Sequence, residues 1–323
     1  MEVIPSEQKK ILTEAIQKNR KEVFSRYGEA PSKSFLERVV SYFIAFNGYI
    51  ALAVTIGILY VLLLDGMIFF QKVSAKEFFF ELVWAPFGEP KKLGILPLLN
   101  GTLMVAIGSI LIGIPLGIGS AIYLTQYASK TIREILTPFI EILGGIPTVV
   151  YGYFALDVIT PKLKRVFPDI EIFNALSATI VIGISVVPLI SSLSTEAMRV
   201  VPQRIQLGGY ALGLTKFHVV TRITIPAAIS GIIASVLLAF TRALGETMAV
   251  TIAAGSSPKI TLNYLESIQT MTAFIVQVSL GDTPVGSIEY YTIYAIGLLL
   301  FLITFLFNWI ALLIVKKFRE VYQ

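Results

Sequence analysis

The sequence predicts an all-α polytopic membrane protein with six transmembrane helices. Hydrophobic residues make up 55% of the 323-residue chain, whereas soluble domains average about 45–50% apolar residues. The excess is concentrated in five runs without a charged residue, which are 39–64, 93–129, 172–195, 223–241 and 290–315. Each run is close to or above the roughly 20 residues that a helix needs to cross a bilayer. A soluble core does not require five such runs.

Charge and composition exclude several other classes of protein. The net charge is +5, but the basic residues flank the apolar runs, as they do in membrane proteins, so a nucleic-acid partner is not indicated. The chain contains no cysteine, which excludes disulfides and thiolate metal sites. Its one histidine, His218, cannot form a metal cluster alone. We therefore expect no metal and no cofactor in this chain.

The first 38 residues are charged and predict a cytosolic or interfacial arm, as an amphipathic helix or a loosely ordered tail. The six spans then follow at about 40–66, 96–125, 134–158, 174–194, 223–253 and 290–315. A further apolar stretch, 267–281, is too short to cross and predicts an interfacial or re-entrant helix on the outer side.

The distribution of Lys and Arg predicts the orientation. With the N-terminus inside, the inner segments carry 17 basic residues and the outer loops carry 8. Basic residues accumulate on the cytoplasmic side of membrane proteins. The outer loop 255–289, which has one lysine, gives the clearest single indication. Both termini are therefore predicted to lie in the cytosol.

Helices 2 and 3 are rich in glycine and proline, including Pro115, Gly144, Gly145 and Pro147. Small residues let membrane helices approach closely. Proline frees backbone groups that neighbours or water must satisfy. This composition fits either tight helix packing or helices that line a translocation path and flex there. The spacing of Gly113 and Gly117 alone does not distinguish these two interpretations.

The connection between helices 4 and 5 is long and amphipathic. Its apolar residues recur at helical spacing in short pieces that are interrupted at Pro202 and Gly213. Two short helices joined by a glycine turn are predicted. Such a module either offers a partner an edge to grip or is an ordinary interfacial loop.

Gly213, nine further residues and then Ile223, Ile225 and Pro226 resemble the cytosolic signature loop of binding-protein-dependent ABC transporter permeases. That resemblance implies a fold of the MetI-like permease type, in which this loop docks the ATPase subunit. The family pattern opens with Glu-Ala-Ala, where this chain has Leu-Gly-Gly at 207–209. The residues implied in coupling are Glu196, Gly208, Gly209, Gly213, Ile223 and Pro226.

Other segments resemble phosphate permeases in particular. Segment 242–250, RALGETMAV, is similar to their helix-5 signature. Segment 144–152, GGIPTVVYG, resembles helix 3 of the PstC-type subunit, and 95–103 and 115–123 resemble its helix-2 region. The resemblance covers roughly 93–312. It implies that Arg242, Glu246 and Thr247 lie on the phosphate path.

Arg242 and Glu246 also stand out without the resemblance. Each charge at the bilayer centre costs roughly 2.5–3.5 kcal/mol on insertion scales. Their spacing of i and i+4 would place them on one helix face, where they can pair. They either form a structural ion pair, or Arg242 contacts the phosphate oxyanion while Glu246 holds it in place. Glu141 either joins this path or lies near the interface without a role.

The chain has no P-loop sequence, so it is not expected to bind ATP or to act as an enzyme alone. The resemblance implies that ATP and Mg are bound by two partner ATPase subunits. The other implied partners are a PstA-like permease subunit, an external phosphate-binding protein, membrane lipids and phosphate itself.

The predicted domains are the arm 1–38, the first helix and outer loop 39–92, the permease core 93–315 with its coupling loop 196–226, and the tail 316–323. The predicted function is phosphate import across the cytoplasmic membrane by alternating access. The alternatives are a molybdate or sulfate permease, the sister PstA-type subunit, and an ion-driven secondary carrier. A role in phosphate sensing could coexist with transport.

Overall fold

A computed structural model describes residues 35–318 of the chain. The predicted N-terminal arm and the end of the C-terminal tail therefore lie largely outside the described residues. The described elements are α1 (Phe35–Lys72), α2 (Ala75–Phe80), β1 (Trp84–Ala85), β2 (Lys92–Leu93), α3 (Leu96–Ile122), α4 (Lys130–Gly145), α5 (Thr148–Phe154), α6 (Thr160–Lys164), α7 (Ala175–Val200), α8 (Gln203–Ala211), α9 (Lys216–Val219), α10 (Ile225–Ala227), α11 (Ile229–Leu244), α12 (Met248–Ala253), α13 (Met271–Leu280) and α14 (Ile288–Phe318). Short π-helical stretches follow α3, α5 and α9.

The chain divides into two units after Tyr60, within α1. In the first unit, nearly every side chain between Val39 and Tyr60 is exposed, although this part of the helix is apolar on all sides. A helix that is hydrophobic all round and exposed is one that contacts lipid.

Within residues 35–318, four helices are long and apolar enough to cross a membrane, namely α1, α3, α7 and α14. Two further pairs of segments meet that criterion together but are bent, by 90° between α4 and α5 and by 69° between α10 and α11. If each bent pair is one span, the total is six by length and composition. The predicted class, an all-α membrane protein, is confirmed.

Two of the predicted spans are nevertheless wrong as continuous helices. Predicted helix 3 is interrupted at Ile146 and Pro147, because the proline at the start of α5 offers no backbone N–H to continue α4. Predicted helix 5 is bent by 69° at Ala228, stops at Leu244 and restarts at Met248. Helix 4 also extends further than predicted, to Val200.

Glycines bring α3 and α7 into direct contact in the second unit. A Cβ atom on Gly113 would lie 2.7 Å from Cγ2 of Val186, and one on Gly117 would lie 2.6 Å from Cβ of Ile190. Gly183 of α7 faces Ile112 in the same way. Tight packing is therefore what these glycines provide. Pro115 is exposed and does not interrupt α3.

Buried hydroxyls connect the spans where no water is available. Ser194 of α7 and Ser235 of α11 are both buried and lie 2.8 Å apart, oxygen to oxygen. Ser109 of α3 donates to the carbonyl of Thr179 in α7 at 3.2 Å. Such contacts between membrane helices contribute about 0.6 kcal/mol each on average.

A cap is formed by α2, the β1–β2 hairpin and α13. Trp84 of β1 packs edge-to-face on Phe274 of α13, with 4.9 Å between ring centroids. The short helix predicted within 267–281 is confirmed as α13. Its start is capped by Thr270, whose Oγ1 accepts a hydrogen bond from the N–H of Ala273.

The connection that precedes α13 is fastened by charged side chains. Lys259 forms an ion pair with Glu266 at 2.6 Å, and the Asn263 amide donates to the same carboxylate at 2.8 Å. These hydrogen bonds lower the pKa of Glu266 below its ordinary value. The connection is thus held by an exposed polar cluster at its surface.

Candidate functional site

The break between α11 and α12 carries the residues that the sequence predicts for the substrate path. Arg242 lies in the last turn of α11 and is exposed, whereas Glu246 and Thr247 lie in the non-helical break. The hydroxyl of Thr272 in α13 donates to the Glu246 carbonyl at 2.8 Å. The Thr247 hydroxyl donates to the Gly245 carbonyl at 2.9 Å. Side chains therefore satisfy backbone groups that the interrupted helix leaves free.

The prediction that Arg242 and Glu246 pair across one helical turn is wrong. The helix ends at Leu244, so the two residues do not share a helix face. Among residues 35–318, no ion pair joins them. Instead, the Glu246 carboxylate accepts a hydrogen bond from the backbone N–H of Thr247 at 3.2 Å.

Tyr151 fastens the bend between α4 and α5. Its hydroxyl donates to the carbonyl of Leu143 at 2.7 Å, across the interruption at Ile146 and Pro147. Tyr151 is 7% exposed. The hydroxyl group of Tyr151 therefore links the two sides of the bend.

Gly152 lets the segments after the two breaks pack closely. A Cβ atom on Gly152 of α5 would lie 2.8 Å from Cβ of Ile252 in α12. Upstream of the bend, Gly144 approaches Pro188 of α7, while Gly145 has open space around its Cα. Of the two predicted glycines, only Gly144 therefore has a packing role that the contacts explain.

A cavity of about 110 Å³ with a mixed polar and apolar lining lies between α4 and α7. Its walls include Thr137 and Glu141 of α4 and Ser191, Ser192, Thr195, Glu196 and Arg199 of α7. Neither Arg242 nor Glu246 lines it. Glu141 and Glu196, for which the sequence suggested different roles, thus lie on one cavity.

The predicted coupling module has the two short helices and the glycine turn that the sequence suggests. α8 ends at Ala211, and Gly213 follows with φ +79°, a conformation that glycine adopts without strain. The carbonyl of Gly209 accepts a hydrogen bond from the Leu214 N–H at 3.1 Å. Gly208 has open space around its Cα, and Pro226 lies in the first turn of the short α10.

Gly209 also places α8 against the segment that leads into the next span, because a Cβ there would meet Cδ1 of Ile223 at 2.5 Å. Glu196 does not belong to this module. α7 continues for four residues beyond it, since the polar face of this amphipathic end can extend into solvent. Leu212 and Phe217 are 84% and 64% exposed, which leaves an apolar surface on the module.

Sequence reasoning missed three contributors to these sites. Tyr151 lies in segment 144–152, but only the structure shows that its hydroxyl donates a hydrogen bond to the Leu143 carbonyl. Thr272 lies 26 residues from its partner and carries no local signal. The face of α7 that includes Thr195 was detectable, because its polar residues recur every three or four positions.

The chain matches the model of a transport family. The family described as "Binding-protein-dependent transport system inner membrane component" matches residues 113–320. The probable ABC transporter permease protein YqgH of Bacillus subtilis is 36% identical over 235 residues, which are 73% of this chain and 76% of YqgH.

Two further relatives carry phosphate transport in their names. The phosphate transport system permease protein PstC of Haemophilus influenzae is 30% identical, over 76% of this chain and 82% of its own. The probable PstC of Methanocaldococcus jannaschii is 30% identical, over 81% of this chain and 90% of its own.

Solved structures share the fold at low sequence identity. A chain of the bacterial alginate ABC transporter, in complex with an alginate-bound periplasmic protein, superimposes with a TM-score of 0.60 at 16% identity. The match covers 88% of this chain and 96% of that one. A chain of the inward-facing methionine transporter MetNI gives 0.53 at 15% identity, covering 70% and 95%.

Proposed function

Since this chain belongs to the family of binding-protein-dependent transport system inner membrane components, we propose that it is the pore-forming permease subunit of an ATP-driven phosphate importer. The observation that carries the proposal is the identity of 30–32% to PstC proteins, over about three quarters of the chain. The alternative function, an ion-driven secondary carrier, also uses broken helices. Family membership favours the pump.

Arg242 is the residue that suits phosphate best. A guanidinium is always charged and offers a planar fork of donors that matches phosphate oxygens. Arg242 is exposed beside a helix break, and within residues 35–318 no ion pair joins it to Glu246. Irregular backbone at membrane depth is tolerated where it lines a cavity. We assign Arg242 to contact with the anion, with Glu246 and Thr247 shaping the break beside it.

The partners follow from the family and from the exposed module. The surface around Leu212 and Phe217 would dock one of two ATPase subunits, which supply the ATP and Mg sites. A second permease subunit of the PstA type would complete the pore, and an external binding protein would deliver phosphate. The chain itself would hydrolyse no ATP. This arrangement places α8 and both termini in the cytosol, and the cap outside.

Phosphate uptake by cells that carry Arg242 variants tests the assignment. Uptake is measured per assembled complex in the membrane, so that losses of folding are accounted for. We expect Arg242→Gln to abolish uptake and Arg242→Lys to impair it, because a point charge does not replace a bidentate fork. Arg165→Gln, which removes an arginine from the connection after α6, is the control.

The double variant Arg242→Gln with Glu246→Gln separates substrate contact from packing. Apolar or neutral replacement of a purely structural charge pair is often harmless. We therefore expect a folded complex without uptake. Near-normal uptake in the double variant would remove both residues from the phosphate path.

A further inference from the structure

The cap formed by α2, the β1–β2 hairpin and α13 carries exposed apolar side chains close together in the chain. Phe80, Leu82 and Phe87 are 74%, 63% and 58% exposed. The core of the cap takes other residues of the same segment, since Phe78 and Trp84 are buried. A group of large exposed apolar side chains of this kind indicates a contact with another molecule or with a membrane. We refer to the exposed group, Phe79, Phe80, Leu82, Val83 and Phe87, as the apolar cap surface.

α2 packs beside the last turn of α1 rather than beyond its end. The two helices are joined by two residues. The Phe78 ring packs edge-to-face on Phe69 and on Phe70, with 5.4 Å between ring centroids in each case. Phe79 stacks on Phe70 at 6.4 Å. Because Phe69 and Phe70 precede the end of α1 at Lys72, the chain turns back along α1 as it enters the cap.

The exposed side of α1 leads to the same place. Leu63 and Met67 are exposed and lie four residues apart, and Phe70 follows three residues later, so the three share one side of the helix. Leu63 belongs to an apolar span, whose exposed side chains contact lipid. Phe70 stacks on Phe79, which is followed by the exposed Phe80. The apolar cap surface therefore continues a lipid-facing surface, and lipid is the occupant that it fits.

α14 indicates the level of the cap relative to the membrane. From Lys316, where its uncharged run ends, back to Tyr294, α14 rises about 33 Å. This length matches the hydrocarbon core of a bilayer, which is roughly 30 Å thick. A Cβ on Gly66 of α1 would lie 3.9 Å from the Tyr294 carbonyl oxygen, and Phe70 lies about 6 Å further along α1. Phe70 is therefore in the headgroup layer, where amphipathic and aromatic side chains meet both lipid and water.

The charge of the cap segment is compatible with lipid contact. Glu81 is the only charged residue between Phe78 and Gly88. Its carboxylate lies 3.6 Å from the ammonium group of Lys92 in β2. An ion pair reduces the free-energy cost of bringing a carboxylate close to the hydrocarbon core. The segment can therefore approach the acyl chains without an unpaired charge.

From these contacts, we propose that the cap is an interfacial anchor, whose apolar cap surface inserts between the lipids of the leaflet at which α1 ends. Apolar faces that lie in the interface in this way bind membranes through the apolar area that they bury. The proposal does not depend on the transported substrate. Since Trp84 packs on Phe274, the anchor would hold α13 at a fixed depth.

Spin labelling of single-cysteine variants tests the anchor. The chain has no cysteine of its own, so Phe80→Cys, Leu82→Cys and Phe87→Cys each carry one nitroxide label. The full-length chain, purified with the subunits that accompany it, is reconstituted in lipid nanodiscs. Collisions of the label with oxygen, which concentrates among acyl chains, are compared with collisions with a water-soluble nickel chelate. We expect collisions with oxygen to dominate at all three positions.

Two reference positions calibrate the measurement. Met67→Cys, on the exposed apolar side of α1, reports lipid, and Asp282→Cys, in the exposed connection between α13 and α14, reports water. Labels on the apolar cap surface should give ratios of oxygen to nickel collisions close to that of Met67→Cys. The thermal unfolding midpoint of each labelled variant verifies that it is folded. Phe80→Trp, which keeps an aromatic ring, provides a second readout, because lipids with brominated acyl chains should quench its added fluorescence.

Two results would overturn the anchor. Dominant collisions with the nickel chelate at the cap positions would show that water covers the surface. Few collisions with either reagent would show that protein covers it, whether from this chain or from an accompanying subunit. A chain whose labels report lipid but which supports no phosphate uptake would count against the proposed function alone.

Discussion

Single hydrogen bonds hold the irregular backbone at the candidate site. Tyr151 satisfies the Leu143 carbonyl across one break, and Thr272 satisfies the Glu246 carbonyl at the other. An unsatisfied buried acceptor costs about 1–3 kcal/mol. The geometry around Arg242 therefore depends on hydroxyl groups that carry no charge and do not themselves stand out in the sequence.

Tyr151→Phe removes one of these hydroxyls and leaves the ring in place. We expect the free energy of unfolding to fall by about 1–3 kcal/mol, because the Leu143 carbonyl loses its donor. Phosphate uptake per assembled complex should fall as well, since the bend relaxes. Unfolding in mixed micelles and uptake in cells are the measurements. Tyr153→Phe, on the exposed face of the same helix, is the control and should change neither.

Glu266 gives the connection before α13 a predictable dependence on pH. Its pKa is lowered in the folded protein by the hydrogen bonds from Lys259 and Asn263. The stabilisation is therefore present above the unfolded pKa, about 4.3, and is lost as pH falls through the lower folded value. The hydrogen-exchange protection of this connection, corrected for the intrinsic pH dependence of amide exchange, should decrease as pH falls through that lowered pKa. Glu266→Gln should remove that dependence; an unchanged profile would contradict the assignment.

Whether the role of a residue can be predicted from the sequence depends on how far along the chain its interaction partner lies. Arg242 and Glu246 were found because charge is rare in apolar runs. Their mutual pairing could not be judged, because it assumed a helix that ends at Leu244. The break at Pro147 can be predicted from the sequence, because proline has no backbone N–H. The break at Gly245 cannot be predicted in this way, because the hydroxyl that bonds its freed carbonyl belongs to Thr272, which is distant in sequence.

At the scale of elements, the contact of α3 with α7 depends on glycines. We expect Gly117→Ala to lower the free energy of unfolding by about 1–3 kcal/mol, the usual cost of overpacking, because its Cβ would lie 2.6 Å from Cβ of Ile190. Gly119→Ala, with no atom within 4 Å of its Cβ, should be neutral or slightly stabilising. Unfolding of the purified chain in mixed micelles compares them. Equal effects would exclude close packing as the cause.

The coupling module makes a second prediction for an element. Gly213 has φ +79°, where a residue with a Cβ is strained by about 1–2 kcal/mol. Gly213→Val should leave the chain in the membrane but weaken co-purification of the ATPase and phosphate uptake together. Gly119→Ala, in open space on α3 and outside the module, is the control. Normal docking and uptake in Gly213→Val would rule out the coupling role.

The apolar runs predict that each long helix exists, but they do not predict where the helices are interrupted. α3 begins at Leu96, as the sequence suggests, and runs through Pro115 because the exposed side of a helix tolerates the kink. α7 exceeds its prediction because polar residues such as Arg199 can continue a helix beyond its apolar part. The hydrophobic pattern alone does not distinguish the end of a helix from the point where a continuing helix passes from lipid into water.

At the scale of the whole molecule, the orientation in the membrane is still a prediction, and labelling tests it directly. The chain has no cysteine of its own, so a single introduced one reports without background. Lys259→Cys should react with an impermeant thiol reagent added to intact cells, whereas Lys216→Cys should not. Reaction of both after lysis is the control. The opposite pattern in intact cells would invert the topology.

The glycine contacts between α3 and α7 restrict how the molecule can move. Sliding motions between packed helices need a layer of side chains that shift between rotamers. Here Gly113, Gly117 and Gly183 bring the two backbones together without such a layer. The pair must then travel as one body, and shear along this seam is blocked. Hinge motion is left to the interruptions at Pro147 and Gly245 and to the 69° bend between α10 and α11. The elements that surround Arg242 are therefore among those on which an opening and closing pore would pivot.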